Sequence, residues 1–245
     1  MVQIIILVVA LLPIWILLQY FIKSDKFPEP TEMLSATFWK GVKICFPVLI
    51  VELLITWGIE SAGLPAIYKE CADAFLCAAM TEEFFKFRVL DTFVSKSSHF
   101  DEEMDGIVYG AVASLGFAAL ENIMYSLSEG LGVAIFRAVS AVPLHAGVGA
   151  IMGYYYGKTH FSGKKVGLFN IGLILAILYH GAYDAFLMVA AGLEGYGDQF
   201  STSTSDDIAL YCVIGVLVTM TILYKHVRYC VADMQSRQIE KMTNA

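Results

Sequence analysis

Long apolar segments alternate with short polar segments along most of the chain. Seven of them come close to the roughly 20 residues that an α-helix needs to cross about 30 Å of hydrocarbon. They cover residues 2–22, 37–57, 70–94, 106–127, 132–156, 166–192 and 208–226. The pattern therefore predicts an all-α, polytopic membrane protein with about seven transmembrane helices.

The first apolar segment is expected to remain in the protein as an anchor. No basic residue precedes it, and no small-residue cleavage site follows it at Lys23, so a signal peptide is not favoured. The sequence shows no internal repeat and no loop long enough for a second domain. We predict one transmembrane domain over residues 1–245.

The distribution of lysine and arginine predicts an orientation, because cytoplasmic loops are enriched in these residues. With the N-terminus outside and the C-terminus inside, all of them except Lys69 and Arg137 lie at the inner ends of the segments. The outer loop at residues 194–198 is acidic. The charge pattern therefore favours an N-out, C-in arrangement.

Composition supports a surface that lipid covers. The chain is 58% hydrophobic and 16% charged, against about 45–50% and about 25% in soluble domains. Its formal net charge of −7 argues against non-specific binding of nucleic acid. We expect membrane lipid, and no nucleic acid, as the general partner.

Ionisable residues inside the apolar segments carry the candidate chemistry. Each costs about 2.5–3.5 kcal/mol at a helix centre, so such residues usually face the interior of a helix bundle. They concentrate in four consecutive segments, at about residues 70–192, and predict one polar pocket between those helices. The residues are Glu82, Glu83, Lys86, Glu121, Arg137, His145, His180 and Asp184.

Helical spacing indicates which of these side chains can cooperate. Glu82 and Lys86 share a helix face, whereas Glu83 points about 100° away, so we expect at most one of the two glutamates to pair with Lys86. The spacing favours Glu82, but partners on other helices could reverse the choice. Asp184 lies one turn after His180 and can fix the tautomer of its ring.

The fifth segment contributes a second set of partners. Arg137, Ala141 and His145 fall on one stripe of that helix, and Arg137 is expected to neutralise a carboxylate, Glu121 being a candidate. Counting about 1.5 Å per residue places Glu82, Glu121 and His180 in the outer half of the membrane and His145 near its middle. These depths favour one shared site.

An aspartate and a set of regularly spaced glycines predict how one helix is capped and where helices pack closely. Asp105 is expected to cap the fourth helix. Glycines four residues apart allow helices to approach closely, at Gly106, Gly110, Gly149, Gly153 and Gly157.

A carboxylate in a low dielectric can act as a general base on water, and histidines can hold a metal or polarise a carbonyl. The set suits hydrolysis of a peptide bond inside the bilayer. Two alternatives use the same residues: a non-enzymatic sensor or scaffold that binds partner helices, and an ion pathway. Polar residues do not continue along whole helices, which disfavours the pathway. Any one of these residues alone is also explained by an interhelical hydrogen bond.

Three motifs in order resemble the PrsW family of bacterial intramembrane proteases, over roughly residues 10–190. The first is an EExxK motif in the third segment. The second is similar to FDExxDGIVY, and the third is similar to GFAxxEN. The matching residues are Glu82-Glu83-Phe84-Phe85-Lys86, then Phe100-Asp101-Glu102 with Asp105-Gly106-Ile107-Val108-Tyr109, and Gly116-Phe117-Ala118-Ala119-Leu120-Glu121-Asn122. The positions of His145, His180 and Asp184 suit the later histidine helices of the family.

The resemblance implies cleavage of a membrane-anchored anti-sigma factor near its extracytoplasmic side. It also implies functional weight for Glu82, Glu83 and Glu102. Topology places Glu102 in an inner loop about 20 Å or more from the other two, so we expect it to lie outside their site. The wider group includes CAAX prenyl endopeptidases and bacteriocin-processing proteins. The CAAX enzymes have His where this chain has Glu121, which favours the PrsW branch.

The sequence thus predicts an intramembrane endopeptidase of the bacterial cell membrane that acts on a single-span membrane protein. Glu82 or Glu83 activates water. In one version of the mechanism, Glu121, His145 and His180 hold a zinc ion. In the other, these residues stabilise the oxyanion without a metal. Asp184 orients His180, and Lys86 and Arg137 are charge partners. The pattern indicates no particular oligomeric state.

Overall fold

The computed structural model describes residues 2–193 and 202–244, and all the regular structure in these ranges is helical. Within these two ranges, nine α-helices follow one another. The fold class predicted from the apolar pattern is therefore confirmed. The helices are α1 (Val2–Ser24), α2 (Thr31–Ser61), α3 (Ala66–Ala72), α4 (Met80–Thr92), α5 (Glu103–Glu129), α6 (Leu131–Val139), α7 (Ala141–Phe161), α8 (Ile171–Gly192) and α9 (Thr202–Asn244).

Within the described residues, six helical segments are long and apolar enough to span a membrane. The pair α6 and α7 counts as one of them, and α1, α2, α5, α8 and α9 are the others. The third predicted segment is also helical, from Ala66 to Thr92, but it is interrupted and carries several charges. Its crossing of the membrane, like the N-out orientation, stays a prediction, and residues 194–198 lie outside the described residues.

A π-helix from Asp73 to Ala79 joins α3 to α4. A π-helix places an extra residue in its turn and is frequent at functional sites. The Phe75 ring in this segment lies directly against Gly181 of α8, where any Cβ would overlap with the ring. The π-helix therefore sets how closely α8 approaches the start of α4.

The predicted fifth helix is broken at Ser140, between α6 and α7. Pro143 explains the break, because proline has no N–H and its ring would clash with the carbonyl of residue 139 in a continuous helix. With the break, Pro143 lies in the first turn of α7, where no donor is needed. The prediction of one helix with a single stripe from Arg137 to His145 is therefore wrong.

The centre of the bundle is α5, which is buried over most of its length and packs along α7. The predicted glycines mediate this contact: a Cβ at Gly110 would overlap with the carbonyl oxygen of Gly149, and one at Gly153 with that of Gly106. Gly41 and Gly116 allow a similar approach between α2 and α5. The close packing of α5 fixes the height of its polar residues against α7.

Gly153→Ala is expected to destabilise the folded protein by about 1–3 kcal/mol, because its methyl group has to displace backbone atoms of α5. The free energy of unfolding of the purified protein, measured by SDS titration in mixed detergent micelles, gives the change. Gly132→Ala is the matched control, since a Cβ there meets nothing within 4 Å. Equal stability of the two variants would contradict the close-packing interpretation.

Candidate active site

The four helices α4, α5, α7 and α8 bring the predicted polar residues together inside the bundle. Glu82, Glu83, Lys86, His145 and His180 are all at most 5% exposed. One ligand atom from each of the two glutamates and two histidines lies within 4.8 Å of the others. The convergence of these side chains is therefore present in the structure.

Lys86 lies at the centre of this group. Its Nζ is 3.0 Å from Glu82 Oε2, 2.8 Å from Glu83 Oε1 and 2.9 Å from His145 Nδ1. The same ammonium lies 4.3 Å from the centroid of the Phe117 ring. The expectation that only one glutamate pairs with Lys86 is wrong, because residues three and four positions before a lysine both lie within reach of its long side chain.

His180 lies between two carboxylates. Its Nδ1 is 2.8 Å from Glu83 Oε1, and its Nε2 is 3.1 Å from Asp184 Oδ2. Both oxygens can only accept when ionised, so this geometry is fully satisfied by a ring that carries a proton on each nitrogen. Asp184 contacts the ring as the spacing predicts, and Glu83 contacts the opposite nitrogen.

His145 has different partners on its two nitrogens. Nδ1 faces the Lys86 ammonium, which can only donate, and Nε2 lies 2.7 Å from Glu121 Oε2. These contacts are satisfied by a neutral ring with its proton on Nε2. Glu121 also lies 2.9 Å from Arg137 Nη2, the ion pair expected for that arginine. Arg137 and His145 thus meet at Glu121 although they belong to separate helices.

The polar network continues beyond the predicted residues. Arg137 Nε donates to Asn122 Oδ1 at 3.0 Å, and Asn122 Nδ2 donates to the carbonyl of Ala10 in α1 at 2.8 Å. Asn122 is fully buried. An asparagine beside Glu121 in an apolar segment was a visible signal for this role, but the contact with α1 has no counterpart in the sequence pattern.

A cavity of about 700 Å³ opens beside this network, between α2 and the π-helix. Glu82, Glu121, Arg137 and Asp184 line it, whereas Glu83 is fully buried and does not line it. Glu52 and Asp73 also line the cavity. The two adjacent glutamates therefore differ, since only Glu82 faces space that a substrate and water can enter.

The donor atoms of the site fit a zinc ion. Carboxylate oxygens and imidazole nitrogens are ordinary zinc ligands. The second oxygen of Glu83, Oε2, is buried and has no hydrogen-bond partner among the described residues. Glu121 is not in the close group of four, because it contacts the His145 nitrogen that faces away from Lys86. Lys86 contacts three members of that group, so an ion and its ammonium cannot share the centre.

Glu102 lies at the other end of α5, as expected from the topology. It is the N-cap of that helix, and its carboxylate contacts Gln238 and Lys241 of α9. Along α5 it is separated from Glu121 by about 28 Å, at 1.5 Å per residue. Asp105 completes the capping box, which confirms its predicted capping role.

Apolar spanning helices that enclose acids, imidazoles and a cavity define a polytopic membrane protein equipped for hydrolysis within the bilayer. The sequence profile of the PrsW family of intramembrane metalloproteases matches residues 29–222. The chain belongs to this family and is a PrsW-like intramembrane protease, a multi-pass protein of a bacterial membrane.

Several curated relatives carry the name Protease PrsW. The chain is 39% identical to that of Bacillus subtilis (strain 168) over 174 residues, which are 70% of this chain and 77% of the relative. It is 40% identical to that of Geobacillus kaustophilus over 182 residues, which are 74% of this chain and 78% of the relative. For the protein of Clostridioides difficile the identity is 32% over 189 residues, which are 74% of this chain and 78% of the relative. No solved structure matches the chain significantly.

Proposed function

We propose that the protein cleaves a peptide bond within or beside the span of a single-span membrane protein, with Glu82 as the base that activates water. One observation carries this proposal: of the two adjacent glutamates, Glu82 lines the cavity and also contacts the buried network through Lys86. A base must reach water and must have its charge controlled by neighbours. Glu82 meets both requirements.

In the proposed reaction, the Glu82 carboxylate removes a proton from a water molecule as its oxygen bonds to the carbonyl carbon of the substrate. The carbonyl oxygen becomes an oxyanion. The C–N bond then breaks, and the protonated Glu82 delivers its proton to the departing amine. Water is consumed, a carboxyl group and an amine are formed, and Glu82 returns to its starting state.

Positive charge for the oxyanion comes from His180 in this proposal. Glu83 holds one nitrogen of its ring at 2.8 Å, while the contact with Asp184 is longer, at 3.1 Å, and Asp184 lines the cavity. An oxyanion bound in the cavity beside Asp184 can therefore share the proton on Nε2 with that carboxylate. Such preorganised donors act strongly where water is excluded. Glu121 and Arg137 position His145 at the side of the site.

The family name implies a metal ion, and the residues that would hold it are Glu83, His145 and His180, with Glu82 nearby. A bound zinc ion supplies Lewis acidity, which lowers the pKa of water and polarises a carbonyl. An ion held there would take the place of the Lys86 ammonium, which contacts Glu82, Glu83 and His145. Glu82 keeps its role toward the proton in both forms.

The proposed substrate is a membrane-anchored regulatory protein of the anti-sigma-factor kind, as the family resemblance implies. Two features of the chain support a single transmembrane helix as the bound element. The cavity lies between α2 and the π-helix, and α2 exposes large apolar side chains such as Leu53 and Trp57 toward the lipid phase. A substrate helix can approach this side along the exposed apolar side chains of α2.

The test is cleavage of a tagged single-span anti-sigma-factor reporter by the purified protein in liposomes, with the cut mapped by mass spectrometry. We expect one cut in the outer half of the reporter span. Chelator followed by added zinc distinguishes the two forms of the mechanism: loss and recovery of cleavage supports the metal, and unchanged cleavage supports Glu82 alone. Stable capture of the reporter without any product would instead favour the scaffold function.

A further inference from the structure

A second group of acids, two of them buried, lies at the opposite end of α5 from the candidate active site. Asp25 and Glu29 belong to the segment between α1 and α2, and Asp105 lies in the first turn of α5. One carboxylate oxygen from each lies within 4.8 Å of the other two. Asp105 is separated from Glu121 by about 24 Å along the helix, so the two groups are independent.

The hydrogen bonds of the two aspartates leave one oxygen of each unused. Asp25 Oδ1 accepts from the Phe27 backbone N–H at 2.9 Å and from Gln238 at 2.6 Å. Asp105 Oδ2 accepts from the backbone N–H groups of Asp101 and Glu102, both at 2.8 Å.

The other two oxygens, Asp25 Oδ2 and Asp105 Oδ1, are buried, and no described residue donates a hydrogen bond to them. The carboxyl groups of Asp105 and Glu29 lie within hydrogen-bonding reach of each other, a contact that two ionised carboxylates cannot satisfy. Asp25 and Asp105 are only 5% and 0% exposed. A buried carboxylate oxygen without a partner is costly, and more so when the carboxylate is charged. The site therefore lacks a component that supplies positive charge.

In the part of the chain that the structure describes, no basic side chain supplies that charge. Among residues 2–193 and 202–244, no lysine, arginine or histidine forms an ion pair with any of the three acids, and Lys241 pairs with Glu102 instead. Burial raises the pKa of Asp25. Burial, followed by the charge of the neighbouring Asp25 carboxylate, raises the pKa of Glu29.

We propose that Asp25, Glu29 and Asp105 form a binding site for a hard divalent cation, Mg²⁺ or Ca²⁺. Both ions prefer oxygen ligands, and carboxylates are their main protein ligands. The group offers carboxylate oxygens and no imidazole or thiolate, which sets it apart from the zinc-like donors of the active site. Glu29 is only half-buried, so the ion reaches the site from its side.

The expected role of the ion is to hold several helices together at this end of the bundle. Its ligands come from the α1–α2 connection and from α5. Gln238 of α9 donates to both Asp25 and Glu102, and its Oε1 accepts from the Lys26 backbone N–H at 3.2 Å. Four helices, α1, α2, α5 and α9, thus meet at the proposed site.

The experiment measures the unfolding temperature of the full-length protein in detergent after chelator treatment, in separate titrations with MgCl₂ and CaCl₂. A hundredfold excess over the dissociation constant is expected to raise the unfolding temperature by about 5–10 °C. The ion with the lower midpoint is the preferred ligand. Asp25→Asn and Asp105→Asn keep an oxygen that accepts the same N–H groups, and each is expected to lose most of the shift.

Two controls separate this site from other sources of a shift. Glu240→Gln removes one exposed negative charge from the same end of the protein and should respond as the wild type does. His180→Ala alters only the active site, so it should lose cleavage but keep the shift. No shift with either ion, or an equal shift in Asp105→Asn and wild type, would overturn the proposal. If the three acids are neutralised by a proton that they share, and not by a metal ion, neither ion should shift the unfolding temperature.

Discussion

Glu82→Gln is expected to reduce the rate of reporter cleavage by about 10²- to 10⁴-fold, the usual contribution of a general base. Glutamine occupies nearly the same volume and can still accept from Lys86, but it cannot take a proton from water. The measurement is the single-turnover cleavage rate in liposomes at saturating reporter. Because glutamine keeps the volume and the contact with Lys86, the loss should appear in the single-turnover rate constant with little change in reporter binding.

Glu60→Gln is the matched control for this variant. Glu60 is an exposed glutamate near the end of α2 and loses the same charge without touching the buried network. It is expected to cleave at the wild-type rate. If Glu82→Gln cleaves as fast as Glu60→Gln while Glu83→Gln is inactive, the base is Glu83 and the assignment made from the cavity is wrong.

Lys86→Met is expected to destabilise the folded protein by about 3–5 kcal/mol, as is typical when one partner of a buried ion pair is removed. The Lys86 side chain is 1% exposed, and its ammonium contacts both glutamates. After its loss Glu83 still contacts His180, whereas Glu82 is left beside the neutral ring of His145, whose Nδ1 lies 3.9 Å from Glu82 Oε2. The free energy of unfolding in SDS titrations measures the effect.

A double variant tests this explanation. Lys86→Met with Glu82→Gln removes the charge that the single substitution leaves unpaired, and we expect it to regain more than half of the lost stability. Lys86→Met with Glu60→Gln should regain none. Equal stability of the two double variants would show that Lys86 stabilises the bundle by packing against Phe117 and not by its charge.

The length and apolarity of the segments were sufficient to predict the fold class, because lipid requires helices of nearly constant length. The break at Ser140 was predictable in principle from Pro143, which lies within the fifth segment. The close approach of α2 to α5 was not, since Gly41 and Gly116 are isolated in the sequence and only the folded bundle brings each against a backbone carbonyl.

The members of the site were predictable for a similar reason: an ionisable residue inside an apolar segment is costly and so is rarely present by accident. Their pairings were harder to predict. Spacing along one helix identified the contact between His180 and Asp184, but the contacts of Glu83 with His180 and of Lys86 with His145 join different helices. Such contacts depend on the rotation of each helix, which local spacing does not determine.

The π-helix between Asp73 and Ala79 ties the length of the chain to the orientation of the two glutamates that follow it. Deleting one residue there would restore regular α-helical winding and turn α4 by roughly 100° about its axis. Glu82 would then leave the cavity even though every candidate catalytic residue was still present in the sequence. Within the family, insertions and deletions should therefore be rarer between Ala66 and Glu82 than amino-acid replacements, and artificial chimeras joined inside this stretch should preserve its residue count.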